Sequence, residues 1–166
     1  MLYRLALALM FSLLVLPRLV MAETEVNWSK VGMEARDRDM LVAILVTDPD
    51  CGYCKRLHNE FLDAPANRGT LEKVAVTREI SRVEGGKVTD FDGERIRNRL
   101  FLARYQIFAS PTLLLLSPEG ELLASPIVGF NGAQAYRELV DRRLARAQAN
   151  LASGERPNPA MVADVE

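Results

Sequence analysis

Two cysteines separated by two residues are the part of this sequence whose chemistry is easiest to define. Cys51 and Cys54 are the only cysteines of the chain, in the run Cys51-Gly52-Tyr53-Cys54. A bridge between them would close a loop of about four residues and stabilise the fold by about 2 kcal/mol, against about 3 kcal/mol for a loop of about 15 residues. A bridge kept for stability would be expected to close a longer loop, whereas two sulfurs this close are easily reduced. The spacing therefore favours reversible redox chemistry over a structural disulfide.

A metal site is the other chemistry that these sulfurs could serve. His58 lies four residues after Cys54, so on a helix both side chains would share one face. Together with Cys51 they supply only three ligands, and the single histidine of the chain leaves no second cluster. We therefore predict no metal, and no cofactor other than the redox-active Cys51–Cys54 disulfide itself.

The positions of the two sulfurs along a helix predict different roles for them. Cys51 would stand at the helix N-terminus, where unpaired N–H groups and the helix dipole lower the pKa of a thiol toward about 7. Because a thiolate makes the attack on a disulfide, Cys51 is the predicted nucleophile, and Cys54, one turn inward, would resolve the mixed disulfide. The predicted modulators are Lys55, which favours the thiolate, Asp50, which opposes it, and His58. That histidine could stabilise a thiolate or carry a proton, or it could only pack on the helix flank.

The two residues between the sulfurs are predicted to face a docking partner. Gly52 would let the chain turn tightly, and Tyr53 offers a partly apolar surface beside the sulfurs. Both are therefore candidates for a substrate groove.

The elements on either side of the motif can also be predicted. The apolar run from Leu41 to Val46 is rich in β-branched residues, which is typical of a strand buried on both faces. Thr47 to Asp50 has turn chemistry, with Asp50 as an N-cap, and a helix should follow from Cys51 to Leu62. The cysteines are thus predicted to lie just past the C-terminal end of a central strand, where open α/β sheets carry their chemistry.

The rest of the chain completes an α/β pattern. The other predicted elements are a helix at 26–40, a strand at 74–80, a loop at 83–93 that could contain a small hairpin, a helix at 94–105, a strand at 112–116, a hairpin strand at 121–128 and a helix capped by Asn131. We predict one domain, 23–152, with a central mixed sheet flanked by helices, followed by a flexible tail at 153–166.

The first 22 residues have the pattern of a secretory signal. A positive start at Arg4 precedes an apolar run, and Val20-Met21-Ala22 supplies the small residues that signal peptidase accepts. A membrane span would need about 20 apolar residues, and Arg18 interrupts the run too early. We therefore predict cleavage after Ala22 and export to an oxidising compartment.

Composition excludes several classes of protein. The chain of 166 residues is 49% hydrophobic and 26% charged, with a net charge of −1 and 7% aromatic residues. This is too apolar for a disordered chain and too evenly charged to predict binding of nucleic acid.

Two motifs together resemble the thioredoxin fold over roughly residues 28–150. These are the Cys51–Cys54 run at a strand–helix junction and Ser110-Pro111-Thr112 before a strand. The resemblance implies that the Ser110–Pro111 bond is cis, that Pro111 packs against the disulfide, and that the Ser110 backbone lines the substrate groove. The sequence departs from the family at Leu45, where thioredoxins place a buried acid that accepts the proton of the resolving cysteine. Water, or His58, would have to replace it.

A narrower resemblance is to the exported thioredoxin-like proteins of bacterial sulfur-oxidation (Sox) gene clusters, of the SoxS and SoxW kind. It is carried by residues 49–55 and by Thr89-Asp90-Phe91-Asp92-Gly93. It implies a periplasmic reductase that acts on disulfides of partner proteins, among them a sulfur-carrier protein, and we predict that the chain is a monomer. It also implies that a membrane thiol-electron donor supplies the electrons.

Other functions remain open at this point. The same groove could serve a regulatory module that binds partners with little turnover, and the pair could act as a thiol oxidase or isomerase. A copper-handling protein would usually space its cysteines by three residues and add a distant histidine. The sequence does not fix the redox direction, because the potential depends on the whole site.

Overall fold

The computed structural model of the chain describes residues 25–84 and 86–155. The predicted signal segment at 1–22 lies outside the described residues, as does the predicted tail from residue 156 onward. Within the described ranges, no helix has the length and apolar character needed to cross a membrane.

The described elements form an α/β domain. In chain order they are α1 (Trp28–Asp37), β1 (Leu41–Thr47), α2 (Gly52–Leu57), a π-helical turn (His58–Leu62), a 3-10 turn (Leu71–Lys73), β2 (Ala75–Ser81), β3 (Lys87–Thr89), β4 (Arg95–Arg97), α3 (Asn98–Arg104), β5 (Thr112–Leu116), β6 (Ile127–Val128) and α4 (Ala133–Ser153).

The central sheet has the strand order β2-β1-β5-β6. β1 pairs parallel with β2 and antiparallel with β5, and β6 pairs antiparallel with β5. All seven residues of β1 are buried, as expected for an apolar strand covered on both faces. The predicted fold class, a central mixed sheet flanked by helices, is confirmed.

The sheet separates two hydrophobic cores. The tryptophan core surrounds Trp28, Phe101 and the β1 side chains Val42, Ile44 and Val46. The cysteine-side core lies on the opposite face and contains Leu45, Leu57, Phe61, Leu113, Tyr136, Val140, Leu144 and Ala147. The indole of Trp28 stacks on the ring of Phe101, with centroids 5.2 Å apart. On the other face, Leu57 of α2 and Phe61 of the π-helical turn pack in the cysteine-side core, which fixes the start of α2 relative to the sheet.

Some local predictions were wrong. The helix expected at 94–105 begins only at Asn98, because Arg95–Arg97 pairs with Lys87–Thr89 as a two-stranded sheet and this pairing overrides the helical spacing. In the predicted hairpin strand at 121–128, only Ile127–Val128 is a strand. The N-cap of the last helix is Gly132 and not Asn131. The chain has a φ of 113° at this position, which favours glycine, and the helix therefore starts without a side-chain cap.

Candidate active site

The cysteine pair lies where β1 leads through a short turn into α2. Cys51 and Cys54 form a disulfide with a Cα–Cα distance of 5.2 Å. Cys51 is the N-cap of α2, and its Sγ accepts a hydrogen bond of 3.1 Å from the Cys54 N–H. Cys51 is half-buried, whereas Cys54 is only 4% exposed. The sulfur of Cys51 is therefore the one that a partner can reach.

Of the residues predicted beside the sulfurs, Asp50 is the one that departs from its expected role. Asp50 does not cap the helix, since the sulfur of Cys51 occupies that position, and Asp50 is exposed one residue earlier. Lys55 is exposed on α2. Gly52 is exposed, and a Cβ there would meet nothing within 4 Å, so space at this position does not require glycine. Tyr53 is 59% exposed, which suits it to contact with a docking protein.

The loop before β5 closes over the disulfide. The Ser110–Pro111 peptide bond is cis, as the resemblance implied. The carbonyl oxygen of Ser110 lies 3.6 Å from Cys51 Sγ, although 59 residues separate the two in sequence. Pro111 is buried, and its carbonyl accepts a hydrogen bond of 2.8 Å from the Gly129 N–H. The fold thus brings together the two motifs that the sequence singled out.

An exposed apolar surface flanks this loop, and sequence reasoning missed it. Phe108, two residues before Ser110, is 80% exposed. Val128, which pairs with Thr112 across the β5–β6 ladder, is 57% exposed. Exposed apolar side chains next to a reactive sulfur are typical of a surface that receives another protein. The only signal in the sequence was an aromatic residue close to the Ser-Pro pair.

A polar network ties three loops together at the same end of the sheet. The guanidinium of Arg82 lies 2.8 Å from Asp48 Oδ2, and its Nε also donates to Ser110 Oγ over 3.3 Å. Asp48 Oδ1 accepts a hydrogen bond of 3.1 Å from the Val83 N–H. This network was not predicted, because it joins residues 34 and 28 positions apart, which the pairing of β1 with both β2 and β5 brings together.

A cleft of about 540 Å³ opens beside the inner sulfur. Cys54, Lys55 and His58 line it from the helix, and Thr47 and Glu79 line it from β1 and β2. His58 Nε2 lies 3.4 Å from Glu79 Oε2, and the Thr47 hydroxyl donates to Glu79 Oε1 over 2.6 Å. Sequence reasoning included His58 but missed Glu79.

The described part of the chain contains no group of three histidine, cysteine, aspartate or glutamate side chains placed to hold a metal ion. Cys54 and His58 share a helix face as the spacing predicted, but their neighbours in the cleft do not complete a ligand set.

The comparison with protein families now settles the family. A model described as a thioredoxin-like domain matches residues 33–143. The chain belongs to the thioredoxin-like domain family. With its Cys51–Cys54 disulfide at the start of α2, this thioredoxin-like domain is a thiol–disulfide oxidoreductase.

Comparisons with individual proteins add to the evidence for the fold. No curated protein matched the chain by sequence. A structure titled DsbH oxidoreductase matches with a TM-score of 0.56 at 16% identity, over 73% of this chain and 83% of that chain. The C-terminal domain of Neisseria meningitidis DsbD, in the oxidised form, matches with a TM-score of 0.51 at 15% identity, over 69% of this chain and 90% of that chain.

The resemblance to Sox proteins is not confirmed by these comparisons. The periplasmic thioredoxin SoxS from Paracoccus pantotrophus matches with a TM-score of 0.45 at 15% identity, over 64% of this chain and 98% of that chain. Similarity at this level does not indicate the function of this thioredoxin-like domain.

Proposed function

We propose that this oxidoreductase is a periplasmic reductase of disulfides in partner proteins. The observation that carries the proposal is the asymmetry of the sulfur pair. Cys51 is half-buried at the helix start beneath the Ser110 carbonyl, whereas Cys54 is 4% exposed behind it. An asymmetric pair suits sequential exchange, in which one sulfur meets the partner and the other releases it.

The proposed reaction has two steps. The Cys51 thiolate attacks one sulfur of the partner disulfide, so that a mixed disulfide forms and the other partner sulfur leaves as a thiolate. Cys54 then attacks Cys51, the Cys51–Cys54 bond forms, and the second partner sulfur leaves. The chain loses two electrons and the partner disulfide gains them. Because the Cys54 N–H points at Cys51 Sγ over 3.1 Å, it would stabilise the attacking thiolate.

The proposed substrate groove consists of Gly52, Tyr53, Ser110 and Pro111, extended by Phe108. The exposed backbone and apolar side chains would hold an extended segment of the partner against Cys51. The net charge of −1 supports docking by shape and apolar contact, because no strong charge would steer the partner.

The proposed compartment and electron supply are supported by the sequence alone. The signal pattern of residues 1–22 supports export, and a reductase in an oxidising compartment must receive electrons from a membrane thiol-electron donor. A sulfur-carrier protein of sulfur oxidation is the proposed partner on the basis of the motif at 49–55. The motif at 89–93 contributes to the fold, because Asp90 at the β3–β4 turn is buried and forms an ion pair with Arg104.

A regulatory binding module is the second candidate, and the exposed side chains of Phe108 and Val128 favour it. Such a module would form tight complexes through this surface with little turnover. An oxidase would use the same two sulfurs but keep them mostly as a disulfide, whereas an isomerase, which attacks disulfides with a thiolate, would need them reduced.

The deciding experiment measures the redox state of the pair in cells by alkylation trapping, together with its reduction potential. We expect Cys51 and Cys54 to be mostly reduced in the periplasmic fraction, and to become oxidised when the membrane thiol donor is removed. The double variant Cys51→Ser/Cys54→Ser is the control for alkylation elsewhere. A pair that stays mostly oxidised with or without the donor would replace the reductase with an oxidase. Reduced sulfurs with no turnover would favour the binding module.

A further inference from the structure

The resolving sulfur, Cys54 Sγ, needs a group that takes its proton. The resemblance to thioredoxins implies a buried acid for this purpose, but this chain has an apolar residue at the corresponding position. Cys54 must become a thiolate before it can attack, and a buried thiol does not ionise readily. Leu45, at the position where the family resemblance implies an acid, is 5% exposed in the cysteine-side core and has no titratable group. The proton acceptor is therefore water or a side chain on another element.

The strand register places a carboxylate beside this position. Leu45 pairs with Glu79 across the parallel β1–β2 ladder, so the two side chains leave the sheet on the same face. Thr47, two residues after Leu45, also lies on this face, and its hydroxyl donates to Glu79 Oε1 over 2.6 Å. This hydrogen bond fixes one carboxylate oxygen and leaves Oε2 facing the helix.

The helix supplies the base that meets this carboxylate. The backbone N–H of His58 donates to the backbone carbonyl of Cys54, so the imidazole lies one helical turn after the sulfur. His58 Nε2 is 3.4 Å from Glu79 Oε2, and Nδ1 is 3.8 Å from Asp63 Oδ2. His58 also begins the π-helical turn, an irregularity that is frequent at functional sites.

The two nearest carboxylates are the ones that face the imidazole. The other charged groups around the two cavities that His58 borders are Asp48, Lys55, Glu84, Arg38, Arg68, Glu72 and Arg78. Several of these already have partners, since Asp48 binds Arg82 and both Arg38 and Arg78 bind Glu34. An imidazolium at His58 would have Glu79 and Asp63 as its direct counter-charges.

We propose that His58 accepts the proton of Cys54 during resolution, and that Glu79 is the positioning residue that orients and neutralises the resulting imidazolium. The Cys54 thiol gives its proton to the imidazole, and the thiolate attacks Cys51 Sγ. The bond between Cys51 and the partner sulfur breaks, and the partner leaves as a thiolate. The arrangement follows the logic of a base held by a carboxylate, here with thiol chemistry. It rests on the exchange reaction and not on the direction or compartment of the proposed function.

A chromogenic aromatic disulfide, 5,5′-dithiobis(2-nitrobenzoate), separates the two steps in a stopped-flow experiment. Attack by Cys51 releases the first coloured thiolate, and resolution by Cys54 releases the second. In His58→Gln we expect the second phase at neutral pH to slow by at least about tenfold, since a general base usually contributes about 10²-fold or more. The first phase should change by less than about twofold, because Cys51 does not use this base.

The pH profile separates a proton acceptor from a structural role. The second-phase rate of the wild type should exceed that of His58→Gln most near neutral pH. The difference should shrink toward about pH 5, where an imidazole is already protonated, and at alkaline pH, where hydroxide takes the thiol proton. In Glu79→Gln the second phase should slow severalfold at neutral pH, and Glu79→Asp should restore part of the rate. Glu60→Gln is the matched control. It removes a carboxylate from the π-helical turn that contains His58, but this carboxylate pairs with Arg56 and not with the imidazole.

The possible results lead to different conclusions. Second-phase profiles of His58→Gln and Glu79→Gln that coincide with the wild type would overturn the proposal. So would equal slowing of both phases, or an effect of Glu60→Gln as large as that of Glu79→Gln. If His58→Gln does not fold, the rates of Glu79→Gln and Glu79→Asp test the proposal by themselves. The Glu79 side chain is half-exposed and lies outside both cores, so these variants should fold. A wild type that shows no first phase would instead refute the exchange chemistry itself.

Discussion

The two faces of β1 differ at the end of the strand that lies nearest the cysteines. On the tryptophan side, Val42, Ile44 and Val46 stay apolar along the whole row and are fully buried. On the cysteine side, the row ends in Thr47, whose hydroxyl binds Glu79 at the edge of the cleft. One face of the same strand thus supplies stability alone, whereas the other changes from apolar to polar where the chemistry takes place.

This difference explains why the site can be polar without weakening the fold. Buried polar groups are costly unless they are paired, and the polar groups of the site lie at the end of the sheet, where water can reach them. The tryptophan core, with its stacked rings, contains the apolar contacts that do not depend on the redox state. Variants on the two faces should therefore separate stability from exchange.

The largest effect is expected at the sulfurs themselves. Cys51→Ser should abolish exchange, whereas Cys54→Ser should accumulate covalent complexes with partners, because the accessible sulfur attacks and the inner one releases. Non-reducing gels of cell extracts, followed by reduction, would show the trapped complexes. Equal trapping by both variants would contradict the assigned roles.

The next effect compares two phenylalanines on opposite faces of the sheet. Phe101 in the tryptophan core and Phe61 in the cysteine-side core are 0% and 3% exposed. Either change to alanine should lower the free energy of unfolding by about 3–5 kcal/mol, measured by denaturant titration. Only Phe61→Ala should also change the exchange rate, because Phe61 belongs to the π-helical turn that begins with His58. Similar exchange rates in the two variants would show that the faces are not functionally distinct.

A smaller effect on stability is expected for Pro111→Ala. The Pro111 carbonyl binds the Gly129 N–H, and the preceding carbonyl faces Cys51 Sγ, so a shift of this loop moves the surface that would receive the partner. We expect partner binding or release to change severalfold while the free energy of unfolding changes by about 1 kcal/mol. Kinetics with a trapped partner and denaturant titration measure the two effects. A loss of stability much larger than this, with normal partner kinetics, would assign Pro111 to the fold alone.

The smallest effect is a pH dependence on the tryptophan side. A hydrogen bond from Arg36 holds the pKa of Glu119 below its usual value. The pair therefore contributes stability above the carboxyl's unfolded pKa and loses it as the pH falls through the lower folded value. Because both groups are largely exposed, the contribution should be only a few tenths of a kcal/mol. Glu119→Gln should flatten the acid side of the stability curve slightly and leave exchange unchanged. A change in exchange would contradict the separation of the two faces.

The sequence determined the parts of the site that depend on neighbours along the chain. The spacing of Cys51 and Cys54 fixes both sulfurs at the start of one helix, and His58 follows on the same face, because the helical repeat is a local property. The long buried run of β1 likewise predicted the central strand. The cis bond before Pro111 followed from the resemblance, which depends on short motifs.

Tertiary structure alone decided which residues complete the site. Glu79 reaches His58 because the parallel register of β2 against β1 sets which side chains share a face. Arg82 joins Asp48 to Ser110 because β1 pairs with both β2 and β5. Strand pairing joins residues far apart in sequence, and local composition and spacing do not encode its register, so these contacts emerge only when the chain folds.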